Sequence, residues 1–227
     1  MDIGHLLGSG RSADVYALGG GAWVLRRYRD GSDATGEMAV MSYLSALGFP
    51  VPRIGPPADG AGPGDLVLER LTGPTLAEAF LAGRLDADEG GALLAGLLRE
   101  LHSLPPRLSC DPDARILHLD LRPENVLLTE NGPVVTDWTH TGEGDPGLDR
   151  AMSALMLART ALDREGATGP PVTGLLTALL AALAQDGGFG EDELARATAR
   201  RAARPHASRA ELSALAAATE LVLTHAP

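Results

Sequence analysis

The sequence predicts an α+β protein that is strand-rich at its start and mainly helical afterwards. Up to Glu69, short apolar runs that suit strands alternate with glycine-rich turns, and a single helical pattern interrupts them. From Thr75 onward, apolar residues recur at helical spacing in several long segments. A length of 227 residues is enough for one large domain or for a two-lobed one.

The strand-rich part contains one predicted helix between its strands. Gly19–Gly21 predicts a hairpin turn before a strand at residues 22–28. A helix follows at residues 35–47, and its Glu37 lies on the apolar stripe. A carboxylate that is turned inward needs a partner, and Arg26 is the natural candidate. The alternative is that Glu37 is a first-turn acid favoured by the helix dipole.

The helical part contains six predicted helices. Thr75 and Asp145 are the expected caps of two of them. His102 ends the second helix, where a cation near a helix C-terminus explains it. The fifth of these helices carries four arginines that are expected to form a solvated basic face: Arg196, Arg200, Arg201 and Arg204. Contact with substrate or phosphate is the alternative. The predicted helices cover residues 75–82, 86–104, a segment that opens at residue 145, and residues 172–185, 191–204 and 208–225.

One stretch, Ile116–Trp138, places polar residues at the ends of a predicted hairpin. Two apolar runs, residues 126–128 and 134–136, flank Asn131-Gly132. This dipeptide is typical of two-residue hairpin turns in which both residues take positive φ. Antiparallel pairing would bring the outer ends of the runs together, where three oxygen-bearing side chains lie. Such side chains suit Mg²⁺ and the phosphates it accompanies. The three residues are Asp120, Asn125 and Asp137.

Composition narrows the function. The formal net charge is −11, which argues against a nucleic-acid partner and is compatible with a cationic substrate. No apolar run is long enough to cross a bilayer, and the first residues lack the pattern of a secretory signal. The single Cys110 cannot form an internal disulfide. We therefore expect a cytoplasmic protein that binds no nucleic acid and no membrane.

The pattern His118-x-Asp120-x-x-x-x-Asn125, followed by Asp137, resembles the catalytic loop and the metal-binding Asp of the protein-kinase-like superfamily. The sequence is most similar to the aminoglycoside phosphotransferase and choline kinase branch, where the second Asp is often followed by Trp, as in Asp137-Trp138. The resemblance covers residues 7–151. It implies a two-lobed fold with a small β-rich lobe, residues 1–71, and a mainly helical lobe, residues 72–227.

The same resemblance implies roles for the polar residues of the central stretch. Asp120 would orient the acceptor hydroxyl, and Arg122 falls where protein kinases place a Lys on the transferred phosphate. Asn125 and Asp137 would hold Mg²⁺. Further along, Asp149 would hold the catalytic loop by hydrogen bonds, as a structural residue. His118 would brace the loop, and Leu127 would form the floor of the adenine pocket.

The nucleotide site implied by the resemblance begins at a glycine-rich loop. Gly8-Ser9-Gly10 resembles the kinase loop whose backbone approaches the phosphates, with Val15 over the adenine ring. A glycine-rich hairpin without a ligand is the alternative. On the strand at residues 22–28, Val24 and Arg26 share a face, and Arg26 stands where kinases have the phosphate-binding Lys. Since the chain contains no lysine, we interpret this as drift within a working site. A solvated strand arginine is the alternative.

The strand at residues 65–69 would lead into the hinge between the lobes. There the backbone of Glu69 and Leu71 would bond the adenine edge. The alternative is an ordinary edge strand.

Together these features imply a phosphotransferase that uses ATP, or GTP, with Mg²⁺ to phosphorylate a small-molecule hydroxyl. A compact protein kinase is the nearest alternative. Only a short segment separates Asp137 from Asp149, and no Ala-Pro-Glu follows, which favours a small-molecule acceptor of undetermined identity. A nucleotide-binding regulator without catalysis is the other alternative, and Arg26 is the residue that favours it.

Overall fold

The structure is a computed structural model that describes residues 1–10, 12–163, 169–203 and 208–226. It divides into two compact units. Unit 1 comprises residues 1–73 and 127–139, and unit 2 comprises residues 74–126 and 140–227. The sequence-based boundary between residues 71 and 72 falls close to the first break, and the unit division in addition groups the hairpin segment 127–139 with residues 1–73.

The predicted strands and helices occur in the predicted order, and the structure adds two short strands, Arg115–Leu117 and Gly142–Gly144. The strands are β1 (Ile3–Ser9), β2 (Ala13–Leu18), β3 (Trp23–Tyr28), β4 (Asp65–Glu69), β5 (Arg115–Leu117), β6 (Val126–Thr129), β7 (Gly132–Val135) and β8 (Gly142–Gly144). The helices are α1 (Thr35–Ala46), α2 (Leu76–Leu81), α3 (Ala87–Ser103), α4 (Pro146–Asp163), α5 (Gly169–Gln185), α6 (Glu191–Ala202) and α7 (Arg209–His225). The predicted end of the fifth helix, residue 204, lies outside the described residues.

Unit 1 is built on an antiparallel sheet in the order β1-β2-β3-β4. The glycine turn before β3 is confirmed, with Gly20 and Gly21 at φ 90° and 75°. Helix α1 buries the predicted stripe, which places a carboxylate among apolar side chains. The stripe consists of Glu37, Val40, Met41 and Leu44.

The predicted hairpin forms, but its turn differs from the prediction. Strands β6 and β7 make a two-stranded sheet. Gly132 has φ 110°, whereas Asn131 is not among the described residues with positive φ. The expectation that both residues of the dipeptide take positive φ is therefore wrong. The turn falls on Glu130 and Asn131, and Gly132 begins β7. The extra residue at positive φ is typical of hairpins that continue into a bulge.

Backbone contacts join this hairpin to the rest of unit 1. The Val135 N–H donates to the Pro50 carbonyl oxygen at 2.8 Å. A Cβ atom at Gly73 would lie 2.1 Å from the Leu128 carbonyl oxygen. Because Gly73 also has φ 138°, no other residue fits this position without moving the backbone. The hairpin that carries Leu127 and precedes Asp137 is thus built into unit 1.

Unit 2 is mainly helical. Helix α4 contacts α5, α6 and α7, and α3 packs on α5. A Cβ atom at Gly91 of α3 would lie 2.7 Å from the backbone of Ala178, so glycine permits this close helix approach. Thr75 and Asp86 form complete capping boxes at the starts of α2 and α3.

Residues 139–144 were predicted as a polar loop, and the part of this segment that belongs to unit 2 contains a short strand instead. Strand β8 pairs antiparallel with β5. Its Glu143 carboxylate accepts the backbone N–H groups of Arg107, Leu108 and Ser109 at 2.6–3.0 Å. These tertiary contacts, which the sequence pattern does not record, fix the segment. Among the described residues, no helix is both long and apolar enough to span a membrane.

Candidate active site

The first polar centre lies in unit 1 and is organised around Arg26. Its Nη1 donates to Glu37 Oε1 at 2.5 Å, and its Nη2 donates to Asp137 Oδ1 at 2.8 Å and to Thr139 Oγ1 at 2.9 Å. The predicted Arg26–Glu37 pair is therefore confirmed, and the solvated-arginine alternative is wrong, since the side chain is only 12% exposed.

Glu37 accepts hydrogen bonds from three residues of unit 1. Besides Arg26, the Tyr28 hydroxyl of the same strand donates a short hydrogen bond to Oε2, and the backbone N–H of Trp138 donates to Oε1 at 3.0 Å. The Thr139 hydroxyl donates to Asp137 Oδ1 at 2.7 Å. We call this connected set the Arg26 cluster; it consists of Arg26, Tyr28, Glu37, Asp137 and Thr139.

The Arg26 cluster shifts two pKa values. Burial alone would lower the pKa of Arg26, but the carboxylates of Glu37 and Asp137 outweigh burial and raise it. Burial, reinforced by the hydrogen bond to Glu37, raises the pKa of Tyr28 to about 12. The guanidinium and the neutral phenol are thus the forms that this environment stabilises.

Asp137 has an unusual backbone conformation. Its φ is 63°, and Leu119 at φ 61° is the other non-glycine residue with positive φ in the described part of the chain. Leu119 lies in the catalytic-loop pattern, and Asp137 is the predicted metal ligand. Backbone strain is often retained at functional positions of this kind. After Asp137, the Trp138 side chain is fully buried, with Nε1 donating to the Val135 carbonyl and an edge contact to Phe49. This anchor fixes the direction in which the chain leaves Asp137.

Three of the predicted nucleotide-binding residues, Val15, Val24 and Arg26, share one face of the unit 1 sheet. Val15 lies opposite Arg26 across the β2–β3 ladder, and Ala17 lies opposite Val24, so all four point to the same side. Gly8 pairs with Val15 at the next ladder, β1–β2. Gly8, Ser9 and Gly10 are exposed.

The predicted hinge residues lie at the end of β4. The Glu69 N–H donates to the Arg53 carbonyl oxygen at 2.9 Å, and the Glu69 carboxylate holds the Arg53 side chain at 2.7 Å. Leu71 is half-buried two residues further on, and Leu127 is half-buried on β6. An adenine contact at Glu69, Leu71 and Leu127 stays a prediction.

The second polar centre lies in unit 2, where Asp149 of α4 holds the loop after β5. Its side chain is fully buried. The backbone N–H groups of His118 and Leu119 donate to its two oxygens at 2.9 and 2.6 Å, and His102 Nε2 lies 3.0 Å from Oδ2. Although burial would raise the pKa of Asp149, the interactions with His102 and His118 outweigh it and lower the pKa. The implied structural role of Asp149 agrees with this geometry.

His118, Asp120 and Asn125 are brought together in this loop. The Asp120 N–H donates to His118 Nδ1 at 3.2 Å, so His118 braces the loop and Nδ1 acts as the acceptor nitrogen. The Asn125 amide nitrogen donates to the Asp120 carbonyl oxygen at 2.8 Å, which fixes the orientation of the amide. Both side chains are buried, Asp120 at 5% exposure.

Two guanidinium groups flank the Asp120 carboxylate. Arg122 Nε lies 3.8 Å from Oδ2, and Arg201 Nη1 of α6 lies 3.9 Å from Oδ1. The Arg201 side chain is 7% exposed. The prediction that Arg201 belongs to a solvated basic face is therefore wrong. We call this group the Asp120 centre; it consists of Asp120, Arg122 and Arg201.

Four participants in these centres were missed from the sequence: Tyr28, His102, Thr139 and Arg201. Two of them carried a signal. His102 lies four residues after Leu98 on α3, and Arg201 lies seven and four residues after Leu194 and Ala197 on α6, which places each on a buried face. The explanation of His102 as a simple C-terminal cation is incomplete, because its ring is buried against Asp149.

The sheet with its Arg26–Glu37 pair and the helical unit with its clamped loop define a protein-kinase-like fold. The chain belongs to the phosphotransferase enzyme family, whose family model matches residues 4–115 and 107–197. It is thus a member of a family of phosphotransferases. Among curated proteins, none matches the chain.

Solved structures show the same fold. A choline/ethanolamine kinase family protein from Mesorhizobium loti is 16% identical, with 99% of this chain and 91% of that chain covered and a TM-score of 0.57. ADP-bound aminoglycoside phosphotransferase APH(2'')-Ib is 13% identical, with 98% and 94% covered and a TM-score of 0.58. Amicoumacin kinase hAmiN is 14% identical, with 99% and 89% covered and a TM-score of 0.54. At these identities the likeness concerns the fold.

Proposed function

We propose that this protein transfers the γ-phosphate of ATP, or GTP, to a hydroxyl group of a small molecule. The observation that carries the proposal is the loop held by Asp149. It fixes the backbone that carries Asp120, whose side chain is buried and whose Oδ2 lies 3.8 Å from the partly exposed Arg122. A buried carboxylate that is held in place is suited to orient a substrate hydroxyl.

The roles of the protein groups follow from their chemistry. Asp120 accepts the hydrogen bond of the acceptor hydroxyl and takes its proton as the oxygen attacks phosphorus. Arg122, whose side chain is 31% exposed, contacts the oxygens of the transferred phosphate in this proposal. Arg26 is the cation of the nucleotide side, held by Glu37. Positioning and charge neutralisation of this kind supply most of the catalysis in phosphoryl transfer.

Asn125 and Asp137 are the proposed ligands of Mg²⁺. When bound, Mg²⁺ neutralises charge on the nucleotide phosphates. The donor set fits, because Mg²⁺ prefers hard oxygen ligands and takes one or two of them from protein alongside substrate phosphates. The Asn125 amide nitrogen donates to the Asp120 carbonyl oxygen, so Oδ1 of Asn125 is the atom that would serve as ligand. Within the described residues, no group of three His, Cys, Asp or Glu side chains could hold a metal ion.

A small-molecule acceptor is favoured over a protein substrate by the segment between Asp137 and Asp149. This short segment contains β8, which is paired with β5, and then passes directly into α4. A segment fixed in this way differs from the longer activation segment on which protein kinases dock peptides.

One observation favours the alternative of a nucleotide-binding regulator without catalysis. Arg26 holds the proposed metal ligand Asp137 at 2.8 Å.

Turnover with a panel of acceptors tests the proposal. Purified protein is supplied with Mg²⁺ and ATP or GTP, and nucleoside diphosphate release is measured with neutral, cationic and anionic hydroxyl compounds and with peptides. We expect release with a small-molecule class. Asp120→Asn should lower kcat by about 10²–10⁴-fold. Asp137→Asn should abolish Mg²⁺-dependent turnover, and the exposed Asp113→Asn is the matched control.

Three outcomes contradict the proposal in different ways. Phosphorylation of peptides alone would identify a protein kinase. Nucleotide binding without turnover on any acceptor would identify a regulator. Failure to bind either nucleotide in the presence of Mg²⁺ would exclude both the phosphotransferase function and the regulator function.

A further inference from the structure

Arg201 is the buried charge that the proposed function has not used. On α6 it continues the buried face of Leu194 and Ala197, whereas the neighbouring Arg200 is exposed. A guanidinium group on the apolar side of a helix is costly to bury unless an anion lies close to it. Asp120 Oδ1 lies 3.9 Å away, and both side chains are less than a tenth exposed.

The two oxygens of Asp120 lie in different surroundings. Oδ1 is buried, faces Arg201, and accepts no hydrogen bond from the residues that the structure describes. Oδ2 faces Arg122, whose side chain is partly exposed. A carboxylate can rotate about its last bond, and the hydrogen bond from Asn125 at 2.8 Å and the one to His118 at 3.2 Å engage the Asp120 backbone. The loop contacts therefore fix the backbone but leave the carboxylate plane to its charged neighbours.

We propose that Arg201 is a positioning residue that holds the Asp120 carboxylate by attraction to Oδ1 and so presents Oδ2 to the acceptor hydroxyl. This inference rests on the proposed function for its catalytic consequence. Arg201 belongs to α6, outside the segment that carries the catalytic-loop pattern. The helical part after Asp149 would thereby contribute directly to the geometry of the reaction.

Kinetics of Arg201 variants test the inference. Arg201→Met should lower kcat by roughly tenfold to a hundredfold with little change in KM for nucleotide, because small misplacements of a catalytic group have effects of that order. Arg201→Lys keeps a cation and should recover part of the loss. Arg200→Met, one residue away on the same helix, should leave kcat unchanged.

A double-mutant cycle separates positioning from a merely structural role. If Arg201 acts through Asp120, adding Arg201→Met to Asp120→Asn should lower kcat no further. Additive losses would overturn the inference. The same cycle is measured on urea unfolding, where a direct ion pair should change the unfolding equilibrium constant by roughly twofold to a hundredfold beyond additivity.

The unfolding cycle also distinguishes this inference from the proposed function. Coupling in unfolding together with absence of turnover in the unmodified protein would overturn the proposed function and leave the contact between Arg201 and Asp120 supported. Turnover in the unmodified protein, with Arg201→Met as active as Arg200→Met, would overturn the inference alone.

Discussion

The Arg26 cluster of unit 1 and the Asp120 centre of unit 2 both bury charge, but they hold it differently. Arg26 makes three hydrogen bonds of 2.5–2.9 Å to side chains of its own unit. The Asp120 carboxylate has two cationic neighbours, at 3.8 and 3.9 Å, which is beyond hydrogen-bonding distance. Arg26 is hydrogen-bonded to protein groups, whereas the Asp120 carboxylate has no hydrogen bond to either of these two cationic neighbours.

This difference indicates what each centre is built for. A buried polar network with every partner in place is rigid, because each broken contact leaves an uncompensated group in a low dielectric. A carboxylate with unused acceptor capacity is less favourable in the free protein but gains a partner when a hydroxyl binds. Asp120 can keep this unused capacity because its loop is held in place by Asp149, which accepts the backbone N–H groups of His118 and Leu119.

The largest expected effect comes from removing that support. Asp149→Ala leaves two buried N–H groups and His102 without their acceptor, so we expect a loss of about 3–5 kcal/mol in the free energy of unfolding. Urea unfolding followed by circular dichroism measures it. Asp163→Ala on the same helix is the control, because the Asp163 side chain is 62% exposed. Equal effects of the two substitutions would show that Asp149 is not the support.

A smaller effect is expected for Arg26→Met. Glu37 keeps its hydrogen bonds from Tyr28 and Trp138, so the loss should be about 1–3 kcal/mol. Arg29→Met, just after β3, is the control. The Arg29 side chain is 46% exposed and pairs with Asp14, and exposed pairs contribute little to stability. Urea unfolding of both variants compares them, and a loss as small as that of Arg29→Met would contradict the importance of the Arg26 hydrogen bonds.

The smallest effect concerns pH. Because the pKa of Tyr28 is raised to about 12 from an ordinary value of 10.0, its neutral form contributes stability that is complete below pH 10. That contribution is lost as the pH rises from 10 towards 12. Thermal unfolding across this range should show a steeper decline for the unmodified protein than for Tyr28→Phe. Parallel declines would place the Tyr28 hydroxyl outside the Arg26 cluster.

Much of the fold could be predicted because its signals are local. The α1 stripe with its inward Glu37, the glycine turn before β3 and the caps Thr75 and Asp145 each depend on residues close in sequence. The catalytic-loop pattern is local as well, which is why Asp120, Asn125 and Asp137 could be singled out before any coordinates. The hairpin was predicted, but its turn lies one residue earlier, on Glu130 and Asn131, because an Asn-Gly dipeptide also suits a turn that is followed by a glycine at positive φ.

The sequence by itself determined which side chains carry charge and which of them lie on apolar stripes, because periodicity is a property of neighbouring residues. Only the tertiary structure decided their partners. Thr139 contacts Tyr28 and Arg26, which lie 111 and 113 positions away in the sequence. Arg201 faces Asp120 across 81 positions. A buried charge must find an opposite charge or a hydrogen bond, but the packing of whole helices and strands selects which one.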